Sequence, residues 1–201
     1  MTDEMARKIQ DAMSDLENLL INQNVNYEFD YAGHLPHIYV DGDEGNYQIT
    51  VKIPMVDSFA ASEYLDQQKT IKNQGYPSTD ETDYIRMVIG AAHEILGHLP
   101  DVLADPKTAK RLQDMDETER QLDPTYRERE VKAEIASMEY AKIKNFSGLT
   151  NNRYGEVITI EQRQQDYINI YAGDYYDART DTMYKGISEE KMKDITHEAN
   201  V

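Results

Sequence analysis

Residues 93–98 read His93, Glu94, Ile95, Leu96, Gly97, His98, which places two imidazoles and a carboxylate within six positions of a 201-residue chain that has five histidines. These are the residue types that hold and use a hydrolytic metal. Neutral imidazole nitrogens bind Zn²⁺, and a carboxylate beside the metal accepts a proton from water. His93 and His98 are therefore candidate metal ligands and Glu94 the candidate general base.

The spacing sets a condition on the backbone. Zinc sites of the H-E-x-x-H type place their histidines four apart, one turn along one helix face. Here the separation is five. At about 100° per residue, five steps turn the second imidazole roughly 140° from the first on a regular helix. A single π-type turn absorbs one residue and returns both rings to one face. Gly97, with no Cβ, is where such a distortion costs least.

Downstream, Arg129-Glu130-Val131-Lys132-Ala133-Glu134 follows the same logic. Together with H-E-x-x-G-H it resembles the metal site of the dipeptidyl peptidase III family of zinc exopeptidases, whose third ligand is the second glutamate of an E-E-x-x-A-E segment. The resemblance implies Glu130 as third ligand. Glu134, one turn further along, would orient a ligand histidine through its second ring nitrogen. Arg129 stands where the family has an acid. The likeness covers roughly residues 85–140 and implies the metal site and hydrolytic chemistry. It does not extend to dipeptide release, because this chain is too short for the family's two-lobed body. Other small zincins with a glutamate ligand, including protease-like domains of some antirestriction proteins, also place an E-x-x-A-E segment on the helix after the histidines. The expectation is a single zincin-like α+β domain over 1–201, with one zinc per chain and a peptide or protein substrate.

Positioning these groups falls to the surrounding elements. Met5, Ile9, Met13, Leu16, Leu19 and Leu20 recur at helical spacing after Thr2, a candidate N-cap, and predict an amphipathic helix over 3–22. Alternating Val25, Tyr27, Phe29 and Tyr31, a short segment 37–40, and Tyr47, Ile49, Val51 and Ile53 predict three strands of a small antiparallel or mixed sheet. Asp41 to Asn46 reads as a solvated hairpin loop, and His34 and His37 as loop histidines. A helix is expected over 57–72. A capping box of Ser78 and Glu81 then starts the helix that delivers His93 and Glu94, with Pro100 limiting it. A short helix is expected over 106–115. Asp123-Pro124 opens a helix running to Ile143, on which Glu130, Glu134 and Ser137 share one face and Val131, Ile135 and Met138 form an apolar stripe. A loop over 146–155, a helix from Thr159 to Ile170, a turn-prone tyrosine segment after Tyr171 and a final helix over 188–197 complete the expectation.

Composition narrows the function classes. There is no cysteine, so a metal must rest on histidine and carboxylate ligands. A formal charge of −17 repels phosphate backbones and anionic lipid, so no direct nucleic-acid binding and no membrane association are expected. The N-terminus lacks a basic segment followed by an apolar one, which reads as a soluble, cytoplasmic protein. The oligomeric state is not legible.

If His93, His98 and Glu130 hold zinc, Glu94 would take the proton of the attacking water and pass it to the leaving amine. Tyr126, Tyr154, Tyr175, Tyr176 and His197 are undifferentiated candidates for stabilising the oxyanion. The competing reading is an acidic binding protein, a nucleic-acid mimic or host-factor inhibitor on an inactive zincin scaffold. A protease acting on itself or on one specific partner is a further rival.

Overall fold

A computed structural model describes residues 2–30, 36–54, 80–151 and 156–199. Tyr31, His34, the expected helix over 57–72, the Ser78 cap and Tyr154 lie outside the described residues.

Helix α1 (Asp3–Asn22) starts at Thr2, whose hydroxyl accepts the Met5 N–H at 3.2 Å. Its apolar stripe buries Ile9, Ala12, Met13, Leu16 and Leu20. The chain then forms β1 (Asn26–Asp30), β2 (His37–Asp41) and β3 (Gln48–Pro54), in the spatial order β1-β3-β2. β1 runs parallel to β3 and β2 antiparallel to it, so the sheet is mixed and β2 lies at one edge. Val40, Val51 and Ile53 from the sheet, the α1 stripe, and Ile85, Val88, Ile89 and Ala92 from α2 (Asp80–Ala92) make one buried core.

From α2 the chain continues without interruption into a π-helical turn (His93–His98) and α3 (Leu99–Ala104). Pro100 does not end this helix, contrary to the sequence expectation. The π turn has already shifted the hydrogen-bond ladder, with the Leu99 N–H reaching back to Glu94 O. Proline therefore falls in the first turn of the resumed α-helix, where a missing N–H is tolerated.

Two short helices follow, α4 (Pro106–Asp114) and α5 (Glu117–Leu122), the second unforeseen because Leu122 is its one apolar residue and sets no period. α6 (Pro124–Ile143) has the predicted bounds and cap, with Asp123 accepting the Tyr126 N–H. Its Val131 and Ile135 pack in a second cluster with Ile168 of α7 (Ile160–Ala172) and Ile195 of α8 (Glu189–Ala199). Buried Arg127 braces this side. Its guanidinium donates to Ile170 O at 2.7 Å and Gly173 O at 3.3 Å, at the end of α7. Cations suit that end of a helix dipole.

The segments expected as loop and turn contain short strands instead. β4 (Leu149–Asn151) pairs with β5 (Val157–Thr159), and β6 (Tyr175–Asp177) with β7 (Thr182–Tyr184), both antiparallel. Three-residue strands are too short to reveal a period of two in sequence. The architecture is mixed α+β and dominated by helices, as expected. No helix among the described residues is long and apolar enough to cross a membrane.

Candidate metal centre

His93 and His98 occupy the two ends of the π turn, and their Nε2 atoms lie 3.0 Å apart. The inserted residue has done what the spacing required. Glu130 arrives from α6 with both oxygens engaged: Oε2 is 3.5 Å from His93 Nε2, and Oε1 is 3.4 Å from His98 Nε2. Ligands at about 2.0–2.1 Å from a tetrahedral ion stand about 3.3 Å from one another. The three separations bracket that edge length, and the donor set of two imidazoles and a carboxylate suits a divalent ion.

Each of these side chains is about 15% exposed or less, which keeps solvent from screening their interactions. Behind His93, Nδ1 faces Glu134 Oε1 at 3.4 Å, so the second glutamate of the segment fixes the ring from the far side. Burial alone would lower the affinity of His93 for a proton. The flanking Glu130 and Glu134 carboxylates overcome it and hold the imidazole well above its usual range in the metal-free protein. Glu130 is pushed the other way: burial opposes its charge, but the two histidines hold the carboxyl far below the ordinary carboxylate range.

A glycine and an alanine let the two helices meet. A Cβ built on Gly97 would lie 2.4 Å from both Cα and Cβ of Ala133, inside any permissible contact. Gly97 and Ala133 are thus the two halves of one contact, which seats the π turn against α6 with Glu130 and Glu134 on either side of the alanine. Close approach of backbones, rather than easy distortion of φ and ψ, accounts for this glycine.

Glu94 stands between two clefts. One, of about 400 Å³, is lined by the edge strand β2, by α4 and α5, and by His93, His98, Tyr126, Arg129 and Glu130. The other, of about 310 Å³, shares His93 and Glu130 with the first and is lined further by Glu134, Ser137, Gln164 and Tyr171. Glu94 lines both. A Glu94 oxygen also lies within 4.8 Å of a ring nitrogen of each histidine, so His93, Glu94 and His98 form a group able to hold a metal ion. Of the two carboxylates, Glu130 is the better third ligand. Its two oxygens lie against the two Nε2 atoms, and it is buried where Glu94 is only half-buried.

The oxyanion candidates now separate. Tyr175 donates its hydroxyl to Leu122 O at 2.8 Å and Tyr176 to Asp181 at 2.6 Å, while His197 lines a separate surface depression on α8. Tyr126 lines the larger cleft. Burial, reinforced by the neighbouring Glu130 carboxylate, raises its phenol well above the usual range, so it stays a neutral donor. His37, read as a loop histidine, is the first residue of β2 and lines the same cleft.

Sequence reasoning missed Gln113. Its side-chain amide pairs with the edge strand as a further strand would: Val40 N–H donates to Oε1 at 2.8 Å, and Nε2 donates to Val40 O at 3.2 Å. Alternation along an antiparallel strand then turns the N–H and C=O of Ile38 toward the cleft as well. Nothing in the sequence near residue 113 signals a partner at residue 40.

No family model matches this chain, and no curated protein or solved structure matches it either.

Proposed function

We propose that this chain is a zinc-dependent peptide hydrolase on a zincin-like domain, with His93, His98 and Glu130 holding the ion and Glu94 moving the proton. The reading is carried by the convergence of two imidazoles from a π turn and a carboxylate from a separate helix at mutual separations of 3.0 to 3.5 Å. When bound, the ion lowers the pKa of water and polarises a carbonyl. Glu94 accepts the proton of the attacking water at a carboxylate oxygen and delivers it to the leaving amine nitrogen. Glu134 keeps His93 in the tautomer that presents Nε2 to the site. The Tyr126 hydroxyl, held protonated beside Glu130, offers a donor to the developing oxyanion. Ile38, with its main-chain polar groups turned to the cleft, offers a peptide one rung of strand pairing next to the histidines.

Elemental analysis combined with substitution tests this. Protein purified without affinity metals should carry about one zinc per chain. His93→Ala and Glu130→Ala should lose it. Glu94→Gln should retain the ion while hydrolysis of a peptide library falls by about 10²–10⁴-fold. Full turnover in Glu94→Gln would exclude Glu94 as base, and loss of metal there would make Glu94 the third ligand in place of Glu130. A binding protein on an inactive scaffold would keep its biological effect unchanged in Glu94→Gln.

A further inference from the structure

The larger cleft holds two arginines, Arg120 from α5 and Arg129 from α6, neither of which has a carboxylate within ion-pair distance among the described residues. That is unexpected on a chain with 38 acidic against 21 basic side chains, where acids outnumber partners. Arg120 Nε is buried and makes no hydrogen bond. Its guanidinium lies over the Tyr126 ring at 5.7 Å, which fixes it without using its N–H donors. Arg129 precedes the ligand Glu130, and its field reaches Asp105 at the start of α4 without forming an ion pair.

A buried donor without a partner is costly, and such a group in a cleft is satisfied by what the cleft binds. A guanidinium sheds its hydration readily, and its planar fork matches a carboxylate in two parallel hydrogen bonds. The rest of this surface repels anions, so only a specific subsite would admit one. We infer that Arg120 and Arg129 form a carboxylate-binding subsite beside the metal centre, occupied by the free C-terminus or an acidic side chain of the bound peptide. Gln113 adds to this. By pairing with Val40 it closes the strand edge one rung beyond Ile38, so a peptide lying along β2 cannot continue past that point as a strand. The inference rests on the peptide-hydrolase reading above.

The test uses the full chain as Glu94→Gln, loaded with zinc so that peptide is bound and not consumed. Equilibrium dialysis is run with three randomised hexapeptide pools: free acids, C-terminal amides, and amides lacking Asp and Glu. Retention of the free-acid pool about tenfold above the amides assigns the subsite to the terminal carboxylate. Retention of the Asp- and Glu-containing amides about tenfold above those without them assigns it to a side chain. Either preference should collapse in Arg120→Gln and Arg129→Gln with zinc content unchanged, and survive in part in Arg120→Lys, which keeps the charge. Equal retention of the three pools, or a preference untouched in both glutamine variants, overturns the inference. A chain that discriminates the pools but whose wild type cleaves none of them would instead refute the hydrolase reading and leave the subsite standing.

Discussion

His93 is the residue on which the centre turns, because it is held from both sides. Its Nε2 faces His98 and Glu130, and its Nδ1 faces Glu134. Removing the rear contact should matter without destroying the site: Glu134→Gln is expected to weaken metal binding by about 10- to 100-fold, read by competition with a chelating dye. The two shifted groups also set a pH dependence for the metal-free protein. Glu130, depressed in the fold, contributes stability present above its unfolded value of 4.5 and lost as pH falls. His93, raised in the fold, contributes stability present below its unfolded value of 6.5 and lost as pH climbs through the folded one. Their joint contribution is fullest between 4.5 and 6.5. The melting temperature of metal-free protein should therefore fall above that window. With metal added the trend should reverse, since the ion needs the imidazoles deprotonated and its binding releases protons. Melts in chelator and in zinc across pH 5 to 9 would check both signs.

Among the elements, the π turn and α6 act as one unit because Gly97 and Ala133 bring their backbones together. The sequence pattern had both residues in view but could not say that they touch. A methyl on Gly97 has nowhere to go except into Ala133, and backbone atoms cannot yield as a flexible side chain would. Gly97→Ala should destabilise the protein by about 1–3 kcal/mol, the usual cost of overpacking. By moving α6 outward it should also draw Glu130 away from the histidines. Denaturant unfolding would give the first quantity and metal titration the second, and an unchanged metal affinity would mean that the helices are held by other contacts.

For the whole molecule, the candidate centre links the π turn, which continues α2, to the separate helix α6. α2 belongs to the core built on the sheet and α1, whereas α6 gives Ala141 to that core and Val131 and Ile135 to the cluster with α7 and α8. With its candidate ligands on two separate elements, a bound metal would act as a stabilising link, worth about 2.7 kcal/mol at a free concentration a hundred times the Kd. For a domain of this size that corresponds to roughly 5–10 °C in Tm. Scanning calorimetry with zinc and with chelator should show the rise in wild type and its absence in His93→Ala. An equal rise in His93→Ala would place the bound ion elsewhere.

Much of this was legible in the sequence, for reasons of local chemistry. Capping residues and period fixed α1 and α6 to the residue, since Thr2, Asp123 and Pro124 act on their immediate neighbours. The five-residue histidine spacing demanded a π turn, because helical geometry alone makes the alternative unworkable. The segment around Glu130 offered a candidate ligand only through resemblance. Spacing along a chain says nothing of which helix will lie against it. What tertiary structure decided were the contacts between distant positions: Gly97 against Ala133, Gln113 closing the edge at Val40, Tyr126 placed in the cleft with both histidines, and two arginines without ion-paired acids among the described residues. Each depends on the relative placement of separate elements, which long-range packing sets and no local pattern encodes.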